Sequence, residues 1–370
     1  MPRKLRVGII FGGRSGEHEV SLRSARSIVD ALDRDRYEPV LVGIDHDGRW
    51  HLQEAARSLL DAPGPVLALD GAAPRVSVAP GDEGSALVVT PSGASAGAVD
   101  VVFPVLHGTY GEDGTIQGLL EMAGLPYVGS GVLGSSAGMD KDVAKRLLRS
   151  EGLPVVDGFV VRASEGRAAT DVADEVERRF GWPVFVKPAN MGSSVGVSKA
   201  GDRGSLEAAL ASAFRYDAKV LVERGHRVRE VEVAVLGNDR PEASVPGEIR
   251  PTHEFYSYEA KYLDAEGAAL DIPARVSPER ADELRSLAVR AFRALDLAGM
   301  ARVDFFIDRD DDRVYVNEVN TIPGFTSISM YPKLWEASGL PYPALVDRLI
   351  ALAIERHAAR RALSTRYAPA

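Results

Sequence analysis

The stretch Arg302-Val-Asp-Phe-Phe-Ile-Asp308, followed across an acidic turn by Val314-Tyr-Val-Asn-Glu-Val-Asn-Thr-Ile-Pro-Gly324, decides how this chain folds. Side chains alternate along a strand, so Arg302 and Asp304 share one face of the first run and Glu318 and Asn320 one face of the second. Residues 308–313 are Asp-Arg-Asp-Asp-Asp-Arg, the polar composition of a turn. An antiparallel hairpin would then gather those four side chains. Its oxygens suit Mg²⁺, which takes one or two carboxylates and leaves its other positions to water and substrate phosphates. The first expectation is a nucleotide-dependent enzyme.

At 370 residues, 45% hydrophobic and 26% charged, the chain has room for two or three folded domains. A net charge of -9 leaves no basic footprint, so nucleic acid is excluded as a partner and small metabolites fit better. The absence of cysteine removes thiol nucleophiles, disulfides and thiolate metal sites, and suits a cytoplasmic enzyme. The apolar run 7–11 is too short for a signal-peptide core, and nothing approaches the roughly 20 apolar residues of a membrane span. The expectation is a soluble, unexported chain with no membrane partner.

Residues 7–11 read as a buried strand, 12–16 as a loop, and a helical pattern begins near Ser21 and runs through Leu32. A second strand at 38–44 completes a βαβ order, which implies a parallel sheet. Residues 54–98 are rich in Ala, Gly and Pro, with short alternating runs at 75–78 and 86–90; they read as an inserted hairpin and loops. A strand at 101–106 leads through His107-Gly-Thr-Tyr-Gly-Glu-Asp-Gly114 into a helix at 116–122, and strand ends of this kind carry sites in open α/β sheets. A helix at 139–149 opens a second domain. Strands follow at 184–187, 195–199, 220–223 and 231–236, then helices at 278–295 and 342–362.

Neither a Gly-x-x-x-x-Gly-Lys-Ser/Thr loop nor a Gly-x-Gly-x-x-Gly turn occurs, so a nucleotide must be held another way. Lys187-Pro-Ala-Asn-Met-Gly-Ser-Ser-Val-Gly196 offers one: a lysine at a strand end, then a loop whose backbone N–H groups and hydroxyls can wrap phosphate oxygens. Alone it also reads as an ordinary hairpin loop; beside the acidic hairpin and Lys141, phosphate binding is favoured. Glu223 and Glu230 follow a buried strand and can accept from an adenine amino group and ribose hydroxyls, although glutamates are usually surface residues. Glu17 follows the first strand, where its carboxylate either pairs with a substrate ammonium or serves as helix N-terminal charge. His107 is either a site residue or a solvated loop histidine. Residues 253–267, aromatic yet polar, read as a water-excluding lid or as a surface loop whose tyrosines pack on the body.

Taken together these segments resemble the D-alanine–D-alanine ligases of the ATP-grasp superfamily. The matching motifs are Gly12 to Ser21, His107 to Gln117, Met139-Asp-Lys141, Lys187 to Gly196, Tyr258-Glu-Ala-Lys-Tyr262 and Asn317 to Ser327. The resemblance implies an α/β and α+β protein: a Rossmann-like parallel-sheet domain at 1–128, a central ATP-grasp subdomain at 129–227, and a C-terminal ATP-grasp domain at 228–370 with a lid at 253–272. It further implies that ATP phosphorylates one D-alanine carboxylate and that the amine of a second D-alanine displaces the phosphate.

Carried over position by position, the resemblance puts Lys141 and Lys187 on ATP phosphates, Ser193 and Ser194 in the phosphate loop, and Lys261 near the γ-phosphate. Glu223 and Glu230 hold adenosine. His226, often apolar in relatives, offers its main chain to adenine. Asp304, Glu318 and Asn320 bind two Mg²⁺, with Mn²⁺ as a substitute; a monovalent cation is left open. Glu17 takes the first substrate's ammonium with His107 nearby, and Ser193 and Tyr262 join Glu17 in a network ordering the lid. Arg302 and the Gly324 N–H form the oxyanion site, and Ser329 meets the second substrate's carboxylate. A homodimer in the cytoplasm, feeding peptidoglycan assembly, is implied likewise. Rival readings are another carboxylate–amine or depsipeptide ligase, and a nucleotide-binding regulator without chemistry.

Overall fold

In the computed structural model, residues 3–53, 69–79, 86–90, 92, 95–251 and 268–364 are described. The first strand, Leu5–Gly12, lies parallel to Tyr37–Ile44 on one side and Val101–Val105 on the other, with Trp50–Leu52 antiparallel at the outer edge. Strands flanked on both faces read as continuous apolar runs, as these do. The crossover helix His18–Ala31 turns Val20, Leu22, Ala25, Ile28 and Val29 inward. It starts about one turn before the expected Ser21, because His18 is itself buried, with Nδ1 2.8 Å from the Gly13 carbonyl.

The two runs of the insertion pair as the expected antiparallel hairpin, Val76–Val78 with Ala86–Val89. A third strand, Ser95–Ala98, joins them. Its Ser-Ala-Gly-Ala composition has no apolar alternation to announce it.

A second sheet is antiparallel, in the order Ser198–Ala200, Val184–Pro188, Lys219–Arg224, Gly158–Arg162. The first two flank the glycine-serine loop as expected. Helices Ala169–Arg179 and Arg203–Ala213 cover one face of this sheet around Val172, Val176, Leu206 and Leu210. Leading into it is Lys141–Ser150. Met139 belongs instead to a separate helix, Val132–Met139, because Asp140 leaves helical geometry and accepts a hydrogen bond from the Val143 N–H at 3.0 Å. An aspartate cap of this kind restarts a helix.

The third sheet runs Ala268–Asp271, Gly247–Pro251, Val228–Gly237, Gly299–Asp308, Val314–Asn320, all antiparallel. Val231, Val233, Val303 and Phe305 face the helix Pro278–Ala294 and pack on Leu284, Ala288 and Phe292. Alternation then sends Glu230, Glu232, Arg302 and Asp304 to the opposite face. Of the expected lid, residues 268–271 form the edge strand; residues 253–267 lie outside those described.

The closing helix Tyr342–Arg361 ties the ends of the chain together. Leu345, Val346, Leu349 and Ile350 share one core with Val7, Ile9, Phe103 and Phe325. Each such side chain is worth roughly 1.5–3 kcal/mol when fully buried. The N-terminal sheet is thereby fixed against the loop that follows the hairpin. Among the described residues, no single helix is long and apolar enough to cross a membrane.

Candidate active site

Between the second and third sheets lies a cavity of about 1450 Å³, walled by Glu17, Lys187, Ser193, Glu223, Arg302 and Glu318 among others. The hairpin forms its floor. Arg302 stands opposite Asn320 and Asp304 opposite Glu318, in an antiparallel hairpin that gathers the four side chains as the sequence anticipates. A bulge follows, since Phe305 pairs with Val316 and leaves Asn317 as the extra residue. A bulge resets the alternation. Tyr315 and Asn317 therefore line the cavity together with Glu318 and Asn320.

Charges on this floor are already paired. Arg302 grips Asp304 with two parallel bonds, Nε to Oδ1 and Nη2 to Oδ2, each 2.7 Å. Its Nε also lies 2.9 Å from Oε2 of Glu232. Asn320 Nδ2 donates to Asp304 Oδ2 at 2.9 Å, and Lys141 Nζ lies 3.4 Å from Glu318 Oε2. Bidentate arginine pairs are strong and fix orientation. Glu232 had no role in the sequence reading, although alternation along 228–237 puts it beside Glu230 on the cavity face.

Lys141 extends from its helix to donate to the Met191 carbonyl at 2.7 Å. Lys187 Nζ lies 2.7 Å from Glu223 Oε2 and 3.4 Å from Asn317 Oδ1. The other oxygen of Glu223 takes the ammonium of Lys145, a buried residue that the sequence reading passed over. Burial pushes the Glu223 carboxyl up, but the two lysines outweigh it and hold it at about 2. Burial lowers Lys145 to about 8 against the pull of Glu223, whereas in Lys187 that attraction outweighs burial and raises its value. Glu230 lines the cavity wall. The His226 ring turns to Asp308 and packs near Tyr315, so its side chain anchors the connection between the two sheets.

The glycine-serine loop reaches across to the N-terminal sheet. Ser193 and Ser194 both hold left-handed backbone, with φ of 49° and 59°, which L residues seldom adopt. The Ser193 hydroxyl donates to Glu17 Oε1. Although Glu17 directly precedes the helix His18–Ala31, its side chain makes no capping bond there. The carboxylate lines the cavity.

His107 is buried rather than solvated, 4% exposed. Its Nδ1 is 3.0 Å from the Ile322 carbonyl and its Nε2 3.3 Å from Ser24 Oγ. A carbonyl only accepts, which assigns the proton to Nδ1. Burial lowers its pKa, and the nearby Glu17 carboxylate only partly opposes this. Ser24 Oγ in turn accepts from the Phe325 N–H at 3.2 Å. His107 thus clamps the 322–325 loop.

Glu112, buried and not singled out from sequence, does the same work from beside it, accepting from the Gly108 and Ile322 N–H groups at 2.9 Å each. Burial, with repulsion from Glu17, lifts it to about 7. Gly324 sits where a Cβ would come within 2.8 Å of Ser329 Oγ. Ser329 accepts from the Thr326 N–H at 3.0 Å, and both Gly324 and Ser329 line the cavity. Lys261 and Tyr262 lie outside the described residues.

Known proteins match nearly the full length of the chain. Residues 6–130 match the family profile described as D-ala D-ala ligase N-terminus, and residues 147–351 that described as D-ala D-ala ligase C-terminus. D-alanine–D-alanine ligase A of Salmonella typhimurium is 53% identical over 98% of this chain and 99% of its own length. The enzyme of the same name from Escherichia coli is 52% identical over the same shares. Among solved structures, the D-alanine-D-alanine ligase from Coxiella burnetii superimposes with a TM-score of 0.85 at 41% identity, over 97% of this chain and 96% of that one. The VanG D-Ala:D-Ser ligase from Enterococcus faecalis gives 0.82 at 33% identity, over 95% and 100%.

Proposed function

The chain belongs to the D-alanine–D-alanine ligase family, and on that premise we propose that its cavity joins two D-alanines, using ATP, to supply a peptidoglycan precursor. The fold is the ATP-grasp fold with a Rossmann-like N-terminal domain, divided at 1–128, 129–227 and 228–370. A carboxylate is a poor electrophile, and transfer of the γ-phosphoryl group gives it a leaving group. The amine of the second D-alanine then attacks the acyl phosphate and phosphate departs.

One observation carries this reading: Arg302, Asp304, Glu318 and Asn320 share a single hairpin face that closes one cavity with Lys141, Lys187 and the Glu17–Ser193 pair. Two carboxylates, presently matched by cationic and N–H partners, and the Asn320 amide oxygen form a hard-oxygen set that fits Mg²⁺ or Mn²⁺. Asp304, Glu318 and Asn320 would hold the ions, and bound ions neutralise the charge of the ATP phosphates. Lys141, Lys187 and the loop of Ser193 and Ser194 hold the triphosphate, and Glu223, Glu230 and the main chain at His226 hold adenosine. Lys261 reaches the γ-phosphate.

Glu17 pairs with the ammonium of the first D-alanine, and His107 fixes the loop carrying Gly324. Tyr262 joins the Glu17–Ser193 pair when the lid closes. Arg302 and the Gly324 N–H meet the oxygen on which charge develops, where one lost donor costs about 3 kcal/mol of barrier. Ser329 receives the carboxylate of the second D-alanine. The enzyme acts in the cytoplasm as a homodimer, which sedimentation measures directly.

Phosphate release from ATP and Mg²⁺ across D- and L-amino acids tests the assignment. D-alanine alone should drive turnover and yield the dipeptide. The likeness to a D-Ala:D-Ser ligase makes D-serine the competitor to include. Turnover with another amino acid and none with D-alanine would overturn the proposal.

A further inference from the structure

Lys145 and Lys141 stand one helical turn apart on the same face of Lys141–Ser150, but only Lys141 lines the cavity. The Lys145 side chain is 4% exposed and its ammonium is committed to Glu223 Oε1. Glu223 is 2% exposed and gives its second oxygen to Lys187 on the adjacent strand. The three residues form a row in which one buried carboxylate holds two ammonium groups, one behind the cavity wall and one inside it.

We propose that Lys145 is a positioning residue that keeps Glu223 neutralised while Lys187 turns from it to the phosphates of ATP. This rests on the ATP-dependent reading above. A buried carboxylate stripped of its cation is strongly unfavourable. Were Lys187 the sole partner of Glu223, moving to a phosphate would leave that carboxylate bare, and Glu223 would retain it. With Lys145 in place the row splits evenly: Lys145 stays on Glu223, and Lys187 is released toward the triphosphate. Asn317, 3.4 Å from Lys187 Nζ, marks the direction in which it can turn.

The test is a double-mutant cycle on the full chain, measured by calorimetric titration of a non-hydrolysable ATP analogue with Mg²⁺, after wild-type turnover with ATP and D-alanine has been established. Lys145→Met should weaken analogue binding roughly tenfold or more, the scale of a pairwise coupling between contacting residues. Adding Glu223→Gln should bring affinity back to within about threefold of Glu223→Gln alone, because a neutral side chain no longer retains Lys187. A residue that merely packs would show no such rescue.

Wild-type affinity in Lys145→Met, or a double variant roughly tenfold weaker than Glu223→Gln alone, would overturn the inference. Should Lys145→Met fail to fold, the double variant, which buries no unpaired carboxylate, is compared with Glu223→Gln: equal affinity supports the proposal and a roughly tenfold deficit overturns it. Failure of the wild type to turn over ATP with D-alanine would strike the functional reading instead, so the two failures are distinguishable.

Discussion

Ser193 donates a hydrogen bond to Glu17 across 176 residues of chain, and the bond closes the glycine-serine loop over the mouth of the N-terminal sheet. Two glycines make the approach possible. A Cβ on either Gly108 or Gly192 would lie 2.7 Å from Glu17 Oε2. The carboxylate is held between two glycines, neither of which presents a side chain to it.

Gly192→Ala tests that fit without disturbing the backbone, because Gly192, unlike Gly108 with φ of 71°, is not in the left-handed region. The added methyl should displace Glu17 and raise the KM for the first D-alanine about tenfold, since a hydrogen bond to a charged group is worth roughly 1.5–3 kcal/mol. Steady-state kinetics with a melting temperature as control decides it. An unchanged KM in a normally folded variant would remove Glu17 from substrate binding.

Glu318→Gln removes one carboxylate while keeping its shape. Mn²⁺ binding in the presence of ADP, followed by electron paramagnetic resonance, should weaken by at least the roughly 10–100-fold that even an outer-shell change costs a metal site. The measurement reads the metal independently of turnover. Wild-type Mn²⁺ affinity would place the ions elsewhere.

Arg302→Lys keeps the charge but loses the fork that grips Asp304 through two nitrogens. Lysine is a point charge and cannot reproduce that pairing. The expected loss is roughly 10²–10³ in kcat, the usual consequence of removing one oxyanion donor. ATP binding should change far less, and the reverse ordering would take Arg302 out of the transition state.

The hairpin was legible because its chemistry is written in the alternation of Arg302, Asp304, Glu318 and Asn320, and a tight turn joins its strands. Asn317 was not: a bulge shifts the alternation, and nothing in Val-Tyr-Val-Asn-Glu-Val announces where the extra residue falls. Lys145 and Glu112 escaped for a different reason. Sequence position says little about the burial of a long charged side chain, and only the packing of the helix Lys141–Ser150 on Lys219–Arg224 takes the ammonium to Glu223. Ser95–Ala98 carries too little hydrophobic signal to be seen. Met139 was read into the following helix because an aspartate inside a polar run reads as a helical residue as readily as a cap, and the rest of Val132–Met139 was not anticipated.

Glu112 gives the prediction with the clearest sign. Its folded value of about 7 stands above the ordinary value near 4.5, so the folded chain binds a proton that the unfolded chain releases between those limits. The stability it contributes is therefore complete below about pH 4.5 and lost as pH rises through about 7. His107 works in the opposite sense. Its folded value is below 6.5, so its contribution is present above that value and lost as pH falls. Wild-type melting alone would mix the two, and Glu112→Gln separates them.

The glutamine keeps one acceptor for the Gly108 and Ile322 N–H groups and sets an amine against the other, a penalty of roughly 1–3 kcal/mol that does not vary with pH. Near pH 5 the wild type should be the more stable by that penalty, with Glu112 still protonated. Between pH 5 and 8 its advantage should shrink by about 1–3 kcal/mol as the buried carboxyl is forced to ionise. Melting temperatures of both proteins across this range measure the gap. A gap constant with pH would mean that Glu112 is ionised throughout, and that the two N–H groups rather than burial set its proton affinity.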